Sequence, residues 1–167
     1  KIEGHEMHSE YIEVKRSVLE SLAAAGHDLY AVGTTSLRTL ESLYWMGVKC
    51  MKNPGISPDA LVVGQWEPYE QPDPGLTRAE SLGYLLTWLQ ERKADRLISR
   101  TQILVAPGYR FRMIRGLVTN FHQPRSTLLL LIAAIVGDDW KKIYAYALDN
   151  GFRFLSYGDG SLLELPD

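Results

Sequence analysis

The stretch that most limits how this chain folds is Leu128 to Val136, nine consecutive apolar residues bounded by Ser126 and Gly137. A membrane span needs about 20 such residues, so this run is too short to cross a bilayer. With a hydroxyl residue in front and a glycine behind, it reads as a helix over 126–136, apolar on every side and therefore expected to be buried. A helix of that kind needs a core around it. At 167 residues the chain is long enough to build one without metal or disulfide staples. The single cysteine, Cys50, excludes an internal disulfide and a thiolate-rich metal site. The apolar share of 46% and charged share of 23% exclude disordered and low-complexity classes. No basic-then-apolar leader opens the chain, which leaves the cytoplasm as the expected compartment. The chain starts at Lys1, not methionine, and so is expected to be a piece of something longer.

Around the apolar run, strand and helix signals alternate. Met7 to Val14 alternates as a strand, with His8, Glu10, Ile12 and Val14 on one face. A helix follows to Gly26, then a short buried strand over Asp28 to Val32, then a helix from the Gly33 turn to about Gly47. Residues 52–75 hold five of the eight prolines and read as a surface excursion, with one short strand candidate inside it at Leu61-Val62-Val63. It ends at the capping box Thr77-Arg78-Ala79-Glu80, which opens another helix. Strands are expected at Thr101 to Ala106 and Leu117 to Thr119. After the apolar helix come an amphipathic one through Trp140 and Ala147 and a last strand at Phe152 to Leu155. This order predicts an α/β fold: a layered, mixed or partly parallel sheet flanked by helices, forming one domain over 1–167.

In such sheets ligands bind just beyond the C-terminal ends of strands, where helix N-termini offer free amides. Three loops are expected to leave such ends. Gly33-Thr34-Thr35-Ser36 offers a tight turn and hydroxyls for an anion or ribose; an ordinary helix cap uses the same residues. It has neither the GxGxxG pattern nor the lysine of a P-loop. Thr119 to Thr127 packs an amide, an imidazole, a guanidinium and hydroxyls in front of the apolar helix. Its His122 is suited to general acid–base work, or to one structural hydrogen bond. Ser156-Tyr157-Gly158-Asp159-Gly160 is an Asp-Gly turn whose interest is its position. At the N-terminus, His5-Glu6-Met7-His8 has the wrong spacing for HExxH, so no metal is expected. His8 and Glu10, on the core side of a strand, must find partners in each other, in further chain or in a ligand.

Net charge is −2, but no acid lies between Asp95 and Asp138, a stretch with six arginines and no lysine. Arginine suits phosphate and carboxylate, while a solvated basic face is the plainer reading.

The segments HEMHSEY (5–11), AVGTTSLRTLES (31–42), PGYRFR (107–112), TNFHQPRSTLLLL (119–131) and FRFLSYGDGSLL (152–163) occur together in one family. The sequence resembles the C-terminal part of the S-adenosylmethionine:tRNA ribosyltransferase-isomerases of queuosine biosynthesis. The resemblance implies transfer and isomerisation of the ribosyl group of S-adenosylmethionine onto 7-aminomethyl-7-deazaguanine in tRNA. Epoxyqueuosine-tRNA, adenine and methionine are the products. S-adenosylmethionine is then a consumed substrate, no resident cofactor is implied, and the partners are tRNA and the missing N-terminal half with its inserted β-barrel. This chain would be the second half of the family's α/β domain. For that reaction the loops offer His122 as the proton shuttle, positioned by Asn120, with Asp159 and Tyr157 expected to orient the ribose or the amine. Thr34, Thr35, Ser126 and Thr127 hold substrate hydroxyls or the methionine carboxylate with Arg38 or Arg125, beside His8 and Glu10. Arg110, Arg112 and Arg115 meet the tRNA backbone. The family loop His-Leu-Pro-Lys-Ser-Thr is here His122-Gln123-Pro124-Arg125-Ser126-Thr127, and Gly160-Ser161 replaces Ala-Met. These departures leave open a paralogue with an altered substrate, or a binding module for tRNA or nucleotide without catalysis.

Overall fold

The computed structural model describes residues 7–123 and 126–166. They gather into two compact units, 7–27 with 38–104, and 28–37 with 105–123 and 126–166.

In the first unit, strand β1 (Glu10–Lys15) pairs antiparallel with β3 (Arg96–Thr101), from Glu10 opposite Thr101 to Lys15 opposite Arg96. Alternation sends Ile12, Leu97, Ser99 and Thr101 inward, and Tyr11, Ile98 and Arg100 outward. Helix α1 (Arg16–Ala24) packs on α4 (Arg78–Glu91). The expected capping box starts α4: the Glu80 amide donates to Thr77 Oγ1 at 3.2 Å and the Thr77 amide to Glu80 Oε2 at 2.8 Å. Helix α2 (Thr34–Lys52) begins in the second unit and runs on in the first, with Leu43, Tyr44, Trp45, Met46, Val48 and Cys50 all buried. It does not stop at Gly47. That glycine is a contact point, since a Cβ there would lie 2.1 Å from the Ser81 carbonyl oxygen. The proline-rich excursion is not purely superficial either. Leu61 and Val63 are buried, Val63 forms an isolated parallel bridge to Thr101, and Glu67–Glu70 forms the short helix α3.

The second unit holds a three-stranded mixed sheet in the order β2 (Tyr30–Val32), β4 (Gly116–Asn120), β5 (Gly160–Glu164). β2 and β4 are parallel; β4 and β5 are antiparallel. This is the mixed α/β layering expected from sequence. Helix α5 (Thr127–Val136), capped by the Ser126 hydroxyl accepting from the Leu128 amide at 3.1 Å, packs against β5, and α6 (Trp140–Asp149) follows.

Several expectations need correction. Leu131, Ile132 and Ile135 of α5 are buried, while the rest of this all-apolar helix is half-exposed. The strand expected at Thr101 to Ala106 ends at Thr101, because β1 supplies ladder partners only for Arg96–Thr101. Ile103 to Ala106 are buried as irregular chain. β2 exposes Tyr30 and Val32 and buries only Ala31. The last strand is not Phe152 to Leu155. Those aromatic residues enter a ring cluster, and the strand forms from Gly160 onward.

Candidate functional site

Strand pairing determines which loops meet. Val32 of β2 stands opposite Val118 of β4, and Asn120 at the end of β4 stands opposite Gly160 at the start of β5. The C-terminal ends of two parallel strands and the N-terminal end of an antiparallel one therefore share a rim. It carries Gly33-Thr34-Thr35, Asn120 to His122, and Asp159-Gly160. The third loop enters a strand instead of leaving one, and reaches this rim because β5 runs the other way.

At the first loop, Gly33 has a φ of 88° and donates its N–H to the Val118 carbonyl at 2.8 Å. Its own carbonyl accepts from Leu37 at 3.1 Å, which starts α2. The turn thus needs the left-handed conformation that glycine permits. Thr34 is half-buried and Thr35 exposed in the first helical turn, where backbone amides lack intrahelical acceptors.

The second loop is fixed from beneath. Phe121 is buried, stacks on Phe154 at 5.5 Å, and meets Tyr144 and Phe152 edge-on at 5.4 and 5.6 Å. With this ring as a peg, the His122 amide donates to the Tyr144 hydroxyl at 3.0 Å. The His122 imidazole sets Nε2 3.0 Å from Thr119 Oγ1, and Thr119 itself is buried. Burial lowers the His122 pKa, which favours neutral imidazole. With Nε2 engaged by Thr119, Nδ1 is the ring nitrogen left for other chemistry. Asn120 is not bonded to His122 as expected from sequence; its Nδ2 donates instead to the Asp159 carbonyl at 3.1 Å, beside the Asn120–Gly160 pairing of β4 and β5. Thr119 and Tyr144 are the positioning residues, missed in the sequence. Thr119 lay inside the loop motif, but nothing local linked Tyr144 to it.

In the third loop, the Asp159 carboxylate accepts from the Arg153 amide at 2.6 Å and from Arg153 Nε at 3.0 Å. These bonds with Arg153 hold the Asp159 pKa below the usual carboxylate range. Asp159 is thus engaged by a cation that sequence reasoning did not single out, although Arg153 lies in the same quoted segment. Tyr157 is exposed. Leu155, with a left-handed φ of 64°, donates its N–H to the Phe121 carbonyl at 2.8 Å and ties the third loop to the second. Ser126 and Thr127, both half-buried, begin α5 at the end of the second loop. Arg125 lies outside the described residues, as do His5 and Glu6.

The remaining expected residues are placed elsewhere. His8 is exposed and precedes β1, so it is not on a core face. Glu10 is half-buried and ion-paired with Arg38, which is 5% exposed and donates Nε–H to the Ile103 carbonyl at 3.0 Å. Burial lowers the Arg38 pKa, and Glu10 opposes the shift. Glu10 Oε2 and Arg38 Nη2 are buried without a hydrogen-bond partner among the described residues. These three residues belong to the first unit, and the rim residues to the second.

The acid-free arginine stretch is likewise divided between the units. Arg96 pairs with Glu13 at 2.6 Å across the β1–β3 ladder, and Arg100 lies over the Tyr11 ring at 5.8 Å. Arg115 immediately precedes β4, so it stands at the far end from His122 of a strand roughly 16 Å long. Its Nη1 donates to the Pro166 carbonyl at 3.3 Å. Arg110 is exposed and Arg112 half-buried. No three or more His, Cys, Asp or Glu side chains converge as a metal site among the described residues. No helix among them is long and apolar enough to cross a membrane.

Residues 1–163 match the family model described as "Queuosine biosynthesis protein". The chain is 38% identical over 169 residues to an S-adenosylmethionine:tRNA ribosyltransferase-isomerase of Chelativorans sp. (strain BNC1), covering 99% of this chain and 35% of that protein. It is 34% identical to the protein of the same name from Burkholderia vietnamiensis, with 99% and 37% covered. The solved S-adenosylmethionine tRNA ribosyltransferase of Thermotoga maritima aligns with a TM-score of 0.57 at 27% identity, over 92% of this chain and 40% of that one. The chain therefore spans about a third of the length of the curated relatives it matches, at their C-terminal part.

Proposed function

Because the chain belongs to the queuosine biosynthesis protein family, we propose that it supplies the second half of a site for tRNA ribosyl transfer and isomerisation. In that reaction the ribosyl group of S-adenosylmethionine passes to 7-aminomethyl-7-deazaguanine in tRNA, releasing adenine and methionine. S-adenosylmethionine is consumed, and no resident cofactor is required. The observation that carries the reading is the shared rim of Gly33-Thr34, His122 and Asp159, produced by the β2-β4-β5 order.

The reaction needs a group to remove a proton beside the sulfonium, a pocket for ribose hydroxyls, and charge for the methionine end. His122 takes the proton. Its neutral form is the abundant one at pH 7, and Nδ1 accepts when the Nε2–H tautomer donates to Thr119 Oγ1. Thr34 and Thr35, with the first amides of α2, receive ribose hydroxyls or the carboxylate, and Ser126 and Thr127 stand at the second helix start. Asp159 fixes the third loop through Arg153, and Tyr157 beside it orients the substrate amine. Arg110, Arg112 and Arg115 face the tRNA backbone.

Proton transfer by one positioned group is typically worth ~10²–10⁴-fold. Adenine release by the intact enzyme carrying His122→Ala is expected to fall by that order; a rate within about threefold of the parent removes His122 from the mechanism. A second reading, a binding module for tRNA, is favoured by the stretch between Asp95 and Asp138, which carries six arginines and no acid. Salt-sensitive tRNA binding without adenine release by the intact protein would select it.

A further inference from the structure

Arg153 and Asp159 form a charged couple on the rim that uses only part of its bonding capacity. The carboxylate takes the guanidinium side-on: Oδ2 accepts from Nε at 3.0 Å as well as from the Arg153 amide at 2.6 Å, and Oδ1 accepts from Nη2 at 3.4 Å. Among the described residues Nη1 has no acceptor. A guanidinium held along its Nε–Nη2 edge still presents the Nη1–Nη2 fork, which can grip a carboxylate or phosphate with two parallel bonds. On the other partner, Oδ1 has only the long contact to Nη2 and keeps room for a further donor. The two side chains are 64% and 28% exposed, so the couple is reachable from solvent. It is also held in place. The Asp159 carbonyl accepts from Asn120 Nδ2 at 3.1 Å, and the Leu155 amide donates to the Phe121 carbonyl at 2.8 Å. Gly158, at a φ of 102°, turns the chain beside the guanidinium.

The proposed reaction brings a fixed pair of charges to the rim, the α-carboxylate and α-ammonium at the methionine end of S-adenosylmethionine. We propose that the Arg153–Asp159 couple binds this zwitterion: the Arg153 fork takes the carboxylate, and Asp159 Oδ1 takes the ammonium. Each substrate charge then meets its opposite. A tRNA phosphate would gain from the guanidinium but be repelled by the carboxylate beside it. Asp159 thus acts twice, as a ligand to the ammonium and as the positioning residue for Arg153, and Thr34 and Thr35 are left for the ribose hydroxyls. Of the arginines expected from sequence at this end, Arg38 belongs to the first unit and Arg125 lies outside the described residues. Arg153 is bonded directly to a rim residue.

This assignment rests on the ribosyl-transfer reading, so its test measures binding as well as turnover. In the intact enzyme, S-adenosylmethionine is compared with decarboxylated S-adenosylmethionine, by calorimetric Kd and by KM for adenine release. For the parent, loss of the carboxylate should weaken binding by about tenfold or more, as expected for a charge-assisted contact in a half-open site. Arg153→Gln should weaken S-adenosylmethionine by the same factor and leave the decarboxylated analogue within about threefold, so that discrimination disappears. Arg153→Lys, which keeps the charge and loses the fork, should fall between the two. Asp159→Asn should weaken both ligands, since both carry the ammonium. Discrimination that survives in Arg153→Gln overturns the proposal, as do equal losses of both ligands in Arg153→Gln and Arg153→Lys. A raised KM for tRNA with S-adenosylmethionine binding unaltered also overturns it, and gives the fork to a phosphate. If the parent binds S-adenosylmethionine with this Arg153-dependent discrimination but releases no adenine, the reaction reading fails and the zwitterion subsite stands.

Discussion

Arg38 and Glu10 form an ion pair whose two partners sit in different surroundings, and that asymmetry predicts unequal costs of removing them. The Arg38 side chain is 6% exposed and that of Glu10 35%. Glu10→Ala strands a buried guanidinium with one neutral partner, the Ile103 carbonyl at 3.0 Å. Breaking a fully buried pair this way costs about 3–5 kcal/mol, and water reaching the Glu10 side reduces this to about 2–3 kcal/mol. Arg38→Met keeps much of the volume and leaves a carboxylate that water can solvate. Its main cost is the unpaired Ile103 carbonyl, about 1 kcal/mol. The double variant should match Arg38→Met within about 0.5 kcal/mol, because no buried charge remains. Urea unfolding followed by tryptophan fluorescence suits this measurement, since Trp45, Trp66 and Trp88 all lie in the same unit as the pair. With an m-value near 2 kcal/mol/M, Glu10→Ala should lower the midpoint by roughly 1–1.5 M and Arg38→Met by about 0.5 M. If Arg38→Met is as damaging as Glu10→Ala, the desolvation argument is wrong.

Two glycines in neighbouring helices should respond with opposite sign. Gly83→Ala, with nothing within 4 Å of the new Cβ, should stabilise by about 0.5–1 kcal/mol, whereas Gly47→Ala, 2.1 Å from the Ser81 carbonyl, should cost about 2 kcal/mol despite its better helix propensity; thermal melts read both. His122, its folded pKa lowered by burial, binds a proton more readily when unfolded. The second unit should therefore keep its full stability above about pH 6.5 and lose it as pH falls from there toward the lowered folded value, and His122→Gln should flatten that slope in Trp140-monitored unfolding. Asp159→Ala should free the Arg153 amide, now bonded at 2.6 Å, and speed its hydrogen exchange by about tenfold without unfolding β5.

The sequence revealed features whose physics is local. The Thr77–Glu80 capping box, the Gly33 turn and the Gly137 stop each depend on a few adjacent residues, and all form as expected. Periodicity also located β4 and the long helices. Features that depend on distant partners were misplaced. Gly47 resembles a helix stop until Ser81 is seen against it. Phe152 and Phe154 alternate like a strand, but Phe121 recruits them into an aromatic cluster. Arg96–Thr101 carries two arginines and two hydroxyl residues, and becomes a strand because β1 offers a ladder. The same division holds at the site. The three loops could be read as polar clusters at element junctions, and their common rim follows from strand order. Which atoms hold His122 depended on a tyrosine 22 positions away.

Everything proposed for the rim depends on the register of β2, β4 and β5, and methyl nuclear Overhauser spectroscopy on the 167-residue chain measures that register directly. Side chains directly opposite on neighbouring strands approach within about 5.5 Å. Strong cross-peaks from Val118 to both Val32 and Leu162, without a strong Val32 to Leu162 peak, are the expected pattern. A Val32 to Leu162 cross-peak of equal strength, or Val118 paired with Leu163 in place of Leu162, would contradict the shared rim of Thr34, His122 and Asp159.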